Sequence, residues 1–228
     1  MKKYGLILLS IFVFNSCYNY RVVPKHLREN TYTQRFDNQN TGLGERLDIN
    51  GYYTVNDTLN SGYIYHGYTN LMFFEDGMFV SGFYYLEGVE NHDTGEVIPA
   101  YINKVATHRE NGERLWYFYD HNFWGHYTLH GDTIKVQHIY KPAFGEMNGV
   151  WYSYEIWFKI IDRQHIEAIY TTPLHKDSPE ILAHETTRPD LKLYFRSLPK
   201  LPKSDGWLKY EKWFWEDENE FIKWEEMQ

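Results

Sequence analysis

At 228 residues and 27.5 kDa the chain has room for one domain, or one domain and a short appendage. Its 43% hydrophobic and 24% charged residues exclude a disordered or collagen-like chain. A net charge of −8 with no basic block argues against a nucleic-acid partner, and a single cysteine excludes an internal disulfide framework. The 19% aromatic content favours sheet, because aromatic rings suit a pleated, half-buried surface.

Lys2 and Lys3 precede an apolar run over 5–14 that has the length of a signal-peptide core and is too short to span a bilayer as a helix. Cys17 follows Ser16 directly. This position resembles the bacterial lipoprotein signal, in which the cysteine is lipidated and becomes the first mature residue. Ser16 fits that pattern, while Phe14 and Asn15 depart from it. The expected organisation is a signal peptide at 1–16, a lipid-anchored tether at 17–47, an antiparallel β domain at 48–198, and a Pro-marked linker with a Trp-rich helical segment at 199–228.

Strand patterning begins at 48–55, with a second candidate at 63–68. Asp76-Gly77 between 71–75 and 78–80 is a two-residue hairpin signal that places Phe74 opposite Phe79. The hairpin of 124–130 and 133–140 about Gly131-Asp132 pairs 130 with 133, 128 with 135 and 126 with 137. One face then carries His126, Thr128, His130, Thr133, Lys135 and Gln137, the other Tyr127, Leu129, Ile134 and Val136. That split predicts one wet face and one core face. A third hairpin joins 150–161 to 164–171 through a turn near Asp162-Arg163, and 191–196 is the last strand. Within the long connections, 97–105 reads as a further strand and Ser178-Pro179-Glu180 as the start of a short helix. In the C-terminal stretch, Asp217 and Glu220 form a capping box ahead of Phe221, Ile222 and Trp224. Short helices packed on the sheet domain are expected there, with a strand as the alternative for 207–215.

Eight to ten short antiparallel strands imply a barrel or a sandwich, mainly β with a short C-terminal helical appendage. The signal cysteine, the Arg46–Tyr53 stretch, Phe74-Glu-Asp-Gly-Met-Phe79 and Gly125-His-Tyr-Thr-Leu-His-Gly-Asp-Thr-Ile134 together resemble the small lipocalin-like lipoproteins of Bacteroidota outer membranes. The resemblance covers roughly 45–197 and supports fold more than function, since the family offers no catalytic residues to carry over. It implies anchoring to the outer membrane through Cys17. Surface-exported members carry an acidic stretch after the cysteine, whereas Tyr18-Asn-Tyr-Arg21 stands here, which points to the periplasmic side.

No nucleophile-elbow, phosphate-loop or dinucleotide motif is present, and His184-Glu185 lacks the second histidine of a zinc protease at 188, so no enzyme, cofactor or metal is expected. His126 and His130 share a face but lie about 13 Å apart, too far for one ion. His138 is the exception on an apolar face, either a satisfied core histidine or a ligand contact inside a barrel. Trp116, Tyr119, Trp124, Tyr127, Trp151, Tyr152 and Trp157 are the candidate aromatic contacts. The expected partners are the membrane through the lipid, a small apolar ligand or a glycan, and an envelope protein at the C-terminal segment. The expected function is binding of a small apolar or amphipathic ligand, or sensing of envelope state, by the β domain. The alternatives are a carbohydrate-binding or protein-interaction lipoprotein using exposed aromatics and a purely structural envelope lipoprotein.

Overall fold

A computed structural model of the chain describes residues 32–55, 70–82, 123–140, 151–174, 191–198 and 201–228. It also describes Val23, Lys25, Arg28 and Glu29, with backbone alone at 84–90, 97–102, Tyr140 and Tyr152. The strand predicted at 63–68 and the helix predicted after Ser178 lie outside the described residues, as does Cys17.

Ten strands are described: β1 (Gly51–Thr54), β2 (Asn70–Phe73), β3 (Met78–Ser81), β4 (Tyr84–Glu90), β5 (Val97–Ile102), β6 (Phe123–His130), β7 (Thr133–Tyr140), β8 (Tyr152–Asp162), β9 (His165–Pro173) and β10 (Leu191–Ser197). Eight of them close into a barrel in the order β1-β10-β9-β8-β7-β6-β3-β2, and β4 and β5 form a separate two-stranded sheet. Every pairing between these strands is antiparallel, so the fold is a lipocalin-like up-and-down barrel. Closure removes the unpaired edges that a sandwich would leave.

The β6–β7 register is the expected one, with His130 opposite Thr133 and His126 opposite Gln137. The β8–β9 turn falls one residue later, on Arg163 and Gln164, with Asp162 opposite His165. The β2–β3 hairpin is shifted. Phe73, not Phe74, pairs with Phe79, their ring centroids 5.2 Å apart. Gly77 adopts φ 88° and donates its N–H to the Phe74 carbonyl, while the Phe74 N–H reaches the Met78 carbonyl. The loop therefore has three residues and a glycine bulge rather than two. That single-residue slip sends Phe73 and Phe79 inward and Phe74 outward, where it stacks on Trp124.

All eight barrel strands contribute to the inner core. Tyr53, Leu71, Phe73, Phe79, Tyr127, Ile134, Val136, Ile156, Phe158, Ile166, Ala168 and Leu193 are buried there. Phe73 is its hub, with Tyr53, Phe79, Tyr127 and Phe158 rings at 5.2–6.1 Å. One barrel end carries the tight turns. A 3₁₀ turn, Leu43–Glu45, caps it by inserting Leu43 and Leu47 into the same core. Arg163 bonds the Glu45 carbonyl and Asp48, and Arg46 bonds Gly131 and Asp132, so the cap is tied to two hairpin turns.

A second core lies outside the barrel wall. Met72, Phe74, Met78, Val80, Trp124 and Ile139 pack against Tyr32 and Phe36 from the N-terminal side and against Trp207, Leu208, Phe214, Trp215, Phe221 and Trp224 from the C-terminal side. The C-terminal stretch forms two 3₁₀ turns, Trp207–Tyr210 and Lys212–Phe214, and helix α1 (Glu218–Glu226). The Asp217 carboxylate accepts the Asn219 N–H as the α1 cap. Glu220 turns to Lys223 instead of closing the predicted box. The segment covers the outer wall of the barrel.

Two expectations change as a result. Residues 32–47 are not a tether. Tyr32 and Phe36 are buried, and the Phe36 N–H bonds the Phe214 carbonyl while the Glu216 N–H bonds Phe36. The β domain therefore starts by Tyr32 rather than at Asp48. The face carrying His126 and Gln137 is wet only toward the turn, where His130 is exposed and Thr128, Thr133 and Lys135 are half-buried, whereas His126 and Gln137 are buried under this strap. The Gln137 amide oxygen accepts the Thr33 and Gln34 N–H groups at 2.8 and 2.9 Å. The Tyr32 hydroxyl donates to the Gln137 carbonyl and accepts the His126 N–H, and burial raises its pKa.

Candidate functional site at the loop-bearing barrel end

The barrel end opposite the cap receives the long connections 55–70, 82–123, 140–152 and 173–191. In barrels of this size, ligands are held inside or at the mouth of the barrel. Strand alternation places Ser81 (β3), Phe123 (β6), His138 (β7), Tyr154 (β8) and Thr171 (β9) on the inner face at this end.

His138 is the centre of that layer. It is fully buried, with the Ser81 Oγ 3.4 Å from its Nδ1. Its ring lies 5.3 Å from Phe123 and 5.9 Å from both Phe79 and Tyr154. Nε2 is buried with no hydrogen-bond partner. Burial lowers the His138 pKa to about 3, so the ring is neutral. Gly125 makes room for it. A Cβ at that position would stand 2.7 Å from the His138 Cα and Cβ and would strike the Gln137 carbonyl. Gly125→Val is therefore expected to destabilise the fold by about 1–3 kcal/mol, the usual cost of overpacking, and to displace His138. Urea unfolding that leaves the variant as stable as the parent would contradict this close approach.

The inner face at this end carries no charged side chain among the described residues. It is a largely aromatic wall with one hydroxyl-imidazole pair and a buried imidazole nitrogen that lacks a partner. Such a wall can accept an apolar body and orient it by a single polar group.

The candidate contacts predicted from sequence do not gather in one place. Trp124 and Trp151 are buried in the outer core, where Trp151 packs 5.7 Å from Trp207. Tyr127 faces the interior near the capped end, with its hydroxyl donating to the Phe74 carbonyl and sharing a 2.7 Å bond with Thr41. Trp157 is 37% exposed on the outer wall. Lys135 lies over its ring at 5.7 Å, Tyr170 stands 5.2 Å away on the next strand, and its N–H donates to Glu155. These contacts make Trp157 a brace across three strands, with its neighbours on both flanks, rather than an open stacking platform. Tyr152 begins β8 opposite Tyr140. Trp116, Tyr119 and Cys17 lie outside the described residues.

Ser81 and Tyr154, the partners of His138, escaped sequence reasoning. Their positions depend on the β3–β6 and β7–β8 registers, and the first of these joins strands more than forty positions apart. The burial of His126 and Lys209 escaped it for a related reason, because both are covered only when segments distant in sequence fold back onto the wall.

Among the described residues no group of three metal-ligating side chains converges, and no helix is long and apolar enough to cross a membrane. No protein-family model, no curated protein and no solved structure matches this chain.

Proposed function

We propose that the chain is a non-enzymatic envelope protein, anchored to a bacterial outer membrane through lipid on Cys17 and facing the periplasm. In this reading its lipocalin-like barrel binds a small apolar or amphipathic molecule at the loop-bearing end. The observation that carries this is the fully buried His138 with an unpartnered Nε2, set in a layer that carries no charged side chain among the described residues. A buried polar atom without a partner costs about 1–3 kcal/mol, and a bound molecule that supplies the missing bond removes that cost. The capped opposite end leaves this layer as the part of the interior next to the long connections.

Mass spectrometry of organic extracts from the purified full-length protein is expected to reveal a small molecule that is lost in His138→Phe. Extracts that are the same from both proteins would count against the reading. Metabolic labelling with a fatty-acid analogue is expected to depend on Cys17, and label persisting in Cys17→Ala would sink the anchor.

A second reading has one observation in its favour. Tyr210, Ile222 and Met227 are exposed apolar side chains on the C-terminal segment, which fits contact with an envelope protein.

A further inference from the structure

Resting on the ligand-binding reading above, the geometry points to a ligand class: an apolar molecule ending in an uncharged hydroxyl, held by His138 with Ser81 behind it. The imidazole has one nitrogen engaged and one buried without a partner. If Ser81 donates to Nδ1, then Nε2 carries the proton and needs an acceptor. If Nδ1–H donates to Ser81, then Nε2 is a lone pair and needs a donor. A hydroxyl satisfies either tautomer, a carbonyl or ether only the first.

A carboxylate or phosphate fits poorly. The inner face offers no Lys or Arg among the described residues to offset the charge. An anion would then be buried unpaired or would force a proton onto His138, which burial resists. An alkyl group with no polar atom fits the walls but leaves Nε2 unpaired. The rings of Phe79, Phe123 and Tyr154 around the imidazole suit an apolar body next to the head group.

The test is displacement of the neutral fluorescent probe N-phenylnaphthylamine from the full-length protein by decanol, decanoate and chlorodecane. These share a chain length and differ at one end. Decanol is expected to bind roughly 10-fold tighter than either of the others, the worth of one hydrogen bond to a buried group. In His138→Phe that preference should vanish while chlorodecane binding persists. Since that variant can fail to fold, ¹⁵N-histidine-labelled parent protein supplies a second readout, in which decanol should shift one imidazole Nε2 resonance and chlorodecane should not. Tightest binding of decanoate, equal binding of all three, or an unmoved Nε2 resonance would overturn the hydroxyl class while leaving ligand binding intact. Displacement by none of the three would overturn the ligand reading itself.

Discussion

Asp76→Ala is expected to destabilise the fold by about 3–5 kcal/mol, the cost of leaving a buried charge without its partner. Lys209 is the charge in question. It is the one lysine among the described residues that is buried, with 4% side-chain exposure, and its Nζ lies 2.6 Å from the Asp76 carboxylate and 3.0 Å from the Ser204 Oγ. The same ammonium stands 4.9 Å over the Phe36 ring. Asp76 therefore ties the β2–β3 turn to the C-terminal segment, with the strap residue Phe36 beside the pair. Its other oxygen accepts the Met78 N–H within the turn. The reverse substitution behaves differently. Lys209→Met removes the charge and keeps an apolar stem of similar length, while Asp76 remains 22% exposed and still bonded by Ser204 and the Met78 N–H. That variant should cost about 1 kcal/mol. Urea unfolding of both variants and of the double variant checks the asymmetry. An Asp76→Ala cost no greater than that of Lys209→Met would show that the ammonium finds water and that the outer layer is looser than its packing implies.

Much of the barrel was legible because antiparallel hairpins are local. Alternation of Ile156 and Phe158 with Glu155, Trp157 and Lys159 assigns the faces of β8 from five residues, and Gly131-Asp132 fixes the β6–β7 register outright. The β2–β3 slip was not legible, because Asp-Gly supports both a two-residue turn and a three-residue turn with a glycine bulge, and the choice reverses which phenylalanine faces inward. The outer core was half legible. An aromatic segment after Pro202 announces a packed element, yet nothing local says which wall it covers. Period-2 patterning marks one face of β6 and β7 as polar and so as wet, but His126 and Gln137 are covered by residues from both chain ends. The site followed the same division. His138 stood out as a polar residue in an apolar series on one strand, whereas Ser81 and Tyr154 join it only through pairings that the whole barrel sets.

Acid is expected to unfold this protein in a range set by two histidines. His126 titrates near 4 and His138 near 3, both lowered from 6.5 by burial. Asp37 and Asp76 favour the charged form of His126 at a distance, but neither reaches its ring nitrogens, both of which lack partners, and Asp76 is already engaged by Lys209. Phe36 and Phe214 meet the His126 ring edge-on at 5.8 and 6.4 Å, so the strap and the C-terminal segment supply only aromatic surface. The unfolded chain binds protons at these histidines as pH falls through 6.5, while the folded chain resists until about 4 and 3. Their contribution to stability is therefore complete above 6.5 and is lost on acidification through that window. Between pH 7.5 and pH 5 each histidine should cost about 2 kcal/mol, at ~1.4 kcal/mol per unit. A loss of about 4 kcal/mol is a large part of the 5–15 kcal/mol typical of a domain. His126→Phe separates the two. It replaces a ring whose nitrogens have no partners with one of similar shape, so stability at pH 7.5 should hold or rise, and the loss on moving to pH 5 should fall to about 2 kcal/mol. Urea midpoints at the two pH values decide the matter. An unchanged loss in His126→Phe would mean that His126 is already solvated, and that the outer layer opens to water without the barrel unfolding.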